Sequence, residues 1–150
     1  MPWSLACEKL MSNWPKHLLR AAAIHCSAWG LFIIALPTMS ATVYGFDRPL
    51  TDVFLWKGSG LILLLFGLGY GIASRDPLRH WAMVFVGLVA KVLGPIGMAL
   101  SVWTGEVSPR VLILIPFNDI LWWIPMALII KSAVCSSQWR ETSGEQRVGK

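Results

Sequence analysis

Residues 81–103 read WAMVFVGLVAKVLGPIGMALSVW, with Lys91 as the single charge and a tryptophan at each end. A helix rises ~1.5 Å per residue and the hydrocarbon core of a bilayer is ~30 Å thick, so about 20 apolar residues make a span. A soluble amphipathic helix would carry a polar stripe every three to four residues, and this run has none. An open strand would leave its backbone groups unpaired in lipid, whereas a helix pairs them internally. The stretch is therefore a transmembrane helix, and the fold depends on how many others accompany it.

Working outward, three more blocks have the same character. One covers about 18–37 (AAAIHCSAWGLFIIALP at its centre), one 53–74 (through LILLLFGLGYGIAS) and one 111–130. The chain is 55% hydrophobic and only 14% charged, against roughly a quarter charged in soluble domains. At 150 residues it has room for one domain. The expected fold is all-α: an integral membrane four-helix bundle with short loops. Residues 1–17 form an N-terminal segment, 18–130 the membrane domain and 131–150 a polar tail, with the last dozen residues expected to lack regular structure.

The connectors hold YGFDRP at 44–49, RDPLRH at 75–80 and TGEVSPR at 104–110. In the second, Asp76 is placed to cap the third helix, with Pro77 in its first turn. Basic residues set the orientation. Lys9, Lys16, Arg20, Arg75, Arg79, Lys131, Arg140, Arg147 and Lys150 fall on one side; Arg48 and Arg110 fall on the other. This asymmetry predicts that both termini are cytoplasmic. Trp14, Trp56, Trp81 and Trp103 fall near span ends, where aromatic belts form. A cleaved leader is the rival reading of the first block, because Arg20 precedes it and Met39-Ser40-Ala41 resembles a cleavage site. The block is longer than a leader requires and carries His25 and Trp29, so a retained span is preferred. Met11 is an alternative start that leaves this topology unchanged.

The second span carries Lys57, Gly60, Gly67 and Gly71 on one helical face, and the third carries Gly87, Lys91, Gly94 and Gly97. Small residues let membrane helices approach closely, so these six glycines are expected to pack helices. A homo-oligomer or a membrane-protein partner is a further expectation, alongside the lipid bilayer itself. The basic residues flank apolar blocks and form no stripe, so nucleic acid is not an expected partner.

The unusual chemistry sits in the last two spans. Lys91 and Asp119 both fall near span centres, where a charge costs roughly 3 kcal/mol or more. Counted from Glu106 in their connector, one lies 15 residues back and the other 13 forward, an offset of only ~3 Å in an antiparallel hairpin. They can meet, with Asn118 beside them. The first reading is a lock that neutralises both charges and fixes helix register. The second is a proton relay or a polar-solute site. Pro95 deprives the Lys91 carbonyl of its helical donor, and Pro116 and Pro125 do the same for Leu112 and Leu121. Broken backbone beside intramembrane charges is how transporters line a site.

Other polar residues in the spans rank lower. Lys57 sits near enough to a span end to snorkel. His25 reads as a hydrogen-bonded packing residue, and His17 and His80 lie at another depth, so no haem ligand pair forms. Trp122 and Trp123 are too deep for a belt and are expected to pack in the bundle. Cys7, Cys26 and Cys135 show no paired or metal-ligand spacing. No metal, cofactor or catalytic residue is therefore expected.

Three phrases, FGLGYGIASRDPLRHW at 66–81, VGLVAKVLGPIG at 86–97 and NDILWWIP at 118–125, resemble a group of small bacterial four-span membrane proteins. Some members carry an alkyl hydroperoxide reductase label, which would imply thiol redox chemistry. The resemblance covers about half the chain and brings no assigned active site. Taken together, the sequence favours a small inner-membrane accessory or assembly component. The alternative is a small proton-coupled or polar-solute transporter using Lys91 and Asp119; a membrane redox enzyme is third.

Overall fold

The computed structural model describes residues 13–148, with side chains through residue 136. The predicted N-terminal segment up to residue 12, with Cys7, Lys9 and the alternative start Met11, lies outside the described residues, as does Lys150. The described residues form helices and connectors without a strand. They comprise α1 (Trp14–Ala35), α2 (Pro37–Val43), α3 (Val53–Ala73), α4 (Trp81–Trp103), a 3-10 turn at Pro109–Leu114, a π turn at Pro116–Ile120, and α5 (Leu121–Val148). Four stretches are long and apolar enough to cross a membrane: Trp14–Ala35, Val53–Ala73, Trp81–Trp103 and Pro109–Ser136. Large apolar side chains such as Phe54, Leu68, Ile113 and Ile124 face outward. In water such a surface would aggregate; in a bilayer it is the solvated one.

Several expected boundaries move, each for a local reason. The first span ends at Ala35, because a residue before proline avoids the helical region and Leu36 leaves it at φ −127°, ψ 62°. Pro37 then starts a new helix with its fixed φ, so α2 occupies part of the expected 38–52 loop. Asp76 caps the turn that precedes α4, not α4 itself: its Oδ1 accepts from the Arg79 N–H at 3.2 Å, and the helix begins after His80. The tail expected to lack regular structure continues α5 to Val148. Its Gln, Arg and Glu residues are good helix formers and propagate a helix already nucleated in the span.

The spans form two close pairs, α1 with α3 and α4 with the fourth span. Glycines set the first pairing. A Cβ on Gly60 would stand 2.9 Å from the Gly30 carbonyl oxygen, and one on Gly67 would run into Ser27. Across the two pairs, the Tyr70 ring lies directly on Gly87. Leu19, Ala22, Ala73, Val84, Met126 and Ile129 continue this contact as the core of the half nearest the 75–80 connector. Three other expected packing glycines do less. Gly71 only meets the Ala23 Cβ at 4.0 Å, while Gly94 would meet only Asp119 at that distance and Gly97 nothing within 4 Å. A small-residue spacing marks where helices are able to approach, not where they do.

At the opposite end the connectors are tied to each other. The Ser108 N–H donates to the Gly45 carbonyl at 2.7 Å. Gly45 has φ +81°, and a Cβ there would stand 2.9 Å from Ser108 O, so both conformation and space call for glycine. Trp81 and Trp103 are exposed at span ends, but Trp56 turns inward. Its Nε1–H donates to Ser40 Oγ at 2.9 Å, and its ring meets Tyr44 and Phe46 edge to face.

Candidate functional site

Lys91 occupies the middle of α4, and Pro95, one turn on, cannot supply the N–H that would close on its carbonyl. Another helix does so: Trp123 Nε1–H donates to the Lys91 carbonyl at 3.1 Å. In the fourth span the same problem is solved within the backbone. Ile115 N–H takes the Leu112 carbonyl that Pro116 cannot reach, and Leu121 N–H reaches back to Pro116 across the widened π turn. Pro116 therefore does not leave the Leu112 carbonyl open. It converts the segment into 3-10 and π turns, and π turns gather at functional sites.

That widened turn carries Asn118 and Asp119. Lys91 Nζ donates to the Asn118 carbonyl and stands 3.5 Å from Asp119 Oδ1. The Asn118 amide donates from Nδ2 to Asp119 Oδ2 at 3.2 Å, while its Oδ1 lies 3.0 Å from His25 Nε2. With that amide orientation, His25 is the donor. The structure thus brings together Lys91, Asp119, Asn118 and His25, drawn from three spans. Lys57 is exposed and takes no part. Trp122 lies beneath: Lys91 Nζ is 5.9 Å from its ring centre, within cation–π range, and the His25 ring is 5.5 Å away. The buried Trp122 Nε1–H has no acceptor among the described residues.

Lys91, Asn118 and Asp119 form one wall of a cavity of about 460 Å³ that lies between α1, α3, α4 and the fourth span. Lys91, Asn118 and Asp119 supply polar groups, and Cys26, Tyr70 and Gly87 line the floor. Tyr44, Phe46 and Trp56 close the roof. Burial there pushes the Tyr44 phenol up to about 12, so it remains a neutral hydroxyl. The remaining lining is largely aliphatic, including Leu63, Met98 and Ile115. The volume lies within the ~300–1,000 Å³ usual for small-molecule sites, which are likewise mostly apolar with a few placed polar groups.

The pair also has hydrogen-bonding capacity to spare. An ammonium carries three donors, and Lys91 uses one on the Asn118 carbonyl and points charge toward Asp119. A carboxylate has about four acceptor positions, and Asn118 takes one of those on Asp119. Sequence reasoning missed the contributions of Tyr44, Phe46, Tyr70 and Ser40, which carry no charge and sit in other segments. Among the described residues no three His, Cys, Asp or Glu side chains gather as a metal site. No protein family, curated protein or solved structure matches the chain.

Proposed function

We propose that this chain is a small-molecule-binding protein of the membrane interior, a carrier or transporter whose site is the Lys91/Asp119 cavity. The observation that carries this reading is the position of the ion pair on the wall of a cavity. Protein interiors are packed to crystal-like density, with few voids larger than a water molecule. A pair serving only to lock helices, or a chain acting only as an assembly component, would not call for several hundred Å³ beside its costliest residues. Proton conduction is the weaker variant. The link between His25 and Asp119 is an amide whose oxygen and nitrogen are both engaged, and an amide does not pass a proton along as imidazole or water would. Binding through hydrogen bonds is what the geometry favours.

The test is native mass spectrometry of the protein extracted in mild detergent. Wild type is expected to carry a small-molecule adduct, and Gly94→Leu, placed in the cavity wall with only Asp119 near its Cβ, is expected to lose it. A wild type observed at the bare chain mass alone, or an adduct retained fully by the variant, would count against the reading.

The proposal places the chain in an inner membrane, with the orientation that the basic residues support: both termini in the cytoplasm, so that the aromatic roof faces outward. Reporter fusions after Gly45 and Gly105 should then read outside, and fusions after Arg75 and Lys150 inside. An outside C-terminus would reverse the placement of the roof.

A further inference from the structure

Gly94 and Gly97 line the cavity and are exposed at the same time. So are Ile62 on α3, 57% exposed, and Leu93 on α4, 58% exposed. A residue that borders a cavity and also faces the surroundings marks an opening. These four lie on the facing sides of α3 and α4, along the middle stretch of both spans, where the surroundings are hydrocarbon. The two helices meet closely toward the 75–80 connector, where Tyr70 rests on Gly87 and Met83 on Gly69. Above that contact both helices line the cavity. The aromatic roof and the Ser108–Gly45 hydrogen bond close the end of the bundle instead.

Resting on the reading of the cavity as a binding site, we propose that it is loaded sideways from the bilayer, between α3 and α4 over a sill formed by Gly94 and Gly97, and that its ligand is an uncharged amphiphile. The sill explains two glycines that make no close packing contact: a side chain at either place would stand in the opening. The charge state of the ligand follows from the wall it meets. Lys91 and Asp119 already neutralise each other, and an anionic head group that drew Lys91 away would leave Asp119 buried and uncompensated. A cationic head group would do the same to Lys91. Breaking a buried pair in this way is strongly unfavourable. A hydroxyl or carbonyl accepts from the ammonium, or donates to the carboxylate, without separating them. A lipid-borne alcohol or carbonyl compound with an aliphatic body therefore fits both the head and the lining of the site.

The probes are a fatty alcohol, its fatty acid and its alkylamine, each bearing a diazirine on the chain, added to phosphatidylcholine vesicles containing the protein. After illumination, labelled residues are mapped by peptide mass spectrometry. The alcohol should label the cavity lining, Met98 and Ile115 among others, more strongly than the acid or the amine. Gly97→Phe, which has open space at its Cβ, should fold as wild type and lose most of that labelling. Gly58→Phe, equally open but away from the cavity, should label as wild type. Preference for the acid or the amine would overturn the ligand class. Undiminished labelling of Gly97→Phe would overturn the portal, as would copy-to-copy cross-linking through Gly97→Cys, which would place a second copy over the opening. Absence of cavity labelling by all three probes would instead overturn the binding site on which this inference rests.

Discussion

Replacing Asp119 with asparagine alone is expected to destabilise the bundle by about 3–5 kcal/mol, the cost of leaving a buried charge without its partner. The carboxylate stands 3.5 Å from Lys91 Nζ, and both residues are largely shielded. Asparagine preserves shape and an acceptor but removes the counter-charge, so the loss reports electrostatics and not packing. Lys91→Met alone should cost a comparable amount, because it strands Asp119. The double variant Lys91→Met with Asp119→Asn should regain much of the stability, since no uncompensated charge remains. Thermal unfolding of the four proteins in one detergent closes the cycle. Strictly additive losses would mean that the two residues are not coupled.

The second large effect is steric. Gly60→Leu is expected to cost about 1–3 kcal/mol or more, as overpacking does in a close contact. The reason is what the new side chain meets. A Cβ on Gly60 would stand 2.9 Å from the Gly30 carbonyl oxygen, and one on Gly30 would stand 2.6 Å from that of Gly60. Backbone on both sides cannot rotate out of the way, so α1 and α3 would have to separate. Gly58→Leu, two residues earlier on the same helix, meets nothing within 4 Å and gains helix propensity, so it should be neutral or slightly stabilising. Equal losses at both positions would show that this face of α3 is not the one packed on α1.

Much of this arrangement is written locally. Spans are legible because bilayer thickness dictates a run length, and 81–103 matches α4 end to end. The depth of Lys91 and Asp119 follows from counting along a hairpin, since helical rise is fixed and their connector is short. The missing donor at the Lys91 carbonyl follows from Pro95, but its replacement, Trp123, comes from another helix. Other features depend on how distant segments meet. His25 reaches Asn118 across 93 positions of sequence, and nothing near either residue signals the other. Gly60 and Gly97 look alike in sequence, yet one is pressed against backbone and the other would meet nothing within 4 Å. Small size permits close approach and permits a gap equally well. The π turn at Asn118 and Asp119 was not legible either, because Pro116 requires only that some hydrogen bond be rearranged, not which one.

The ion pair either recognises a ligand or merely holds helices together. The most direct measurement is cavity photolabelling of the double variant, Lys91→Met with Asp119→Asn, by the diazirine-bearing fatty alcohol, beside wild type in identical vesicles. A binding wall predicts a protein that has recovered its thermal stability and lost its cavity labelling, because the groups that hold the polar head are gone. A double variant that is equally stable and labels the same cavity residues to the wild-type extent would contradict it, and would leave the pair with a structural role alone.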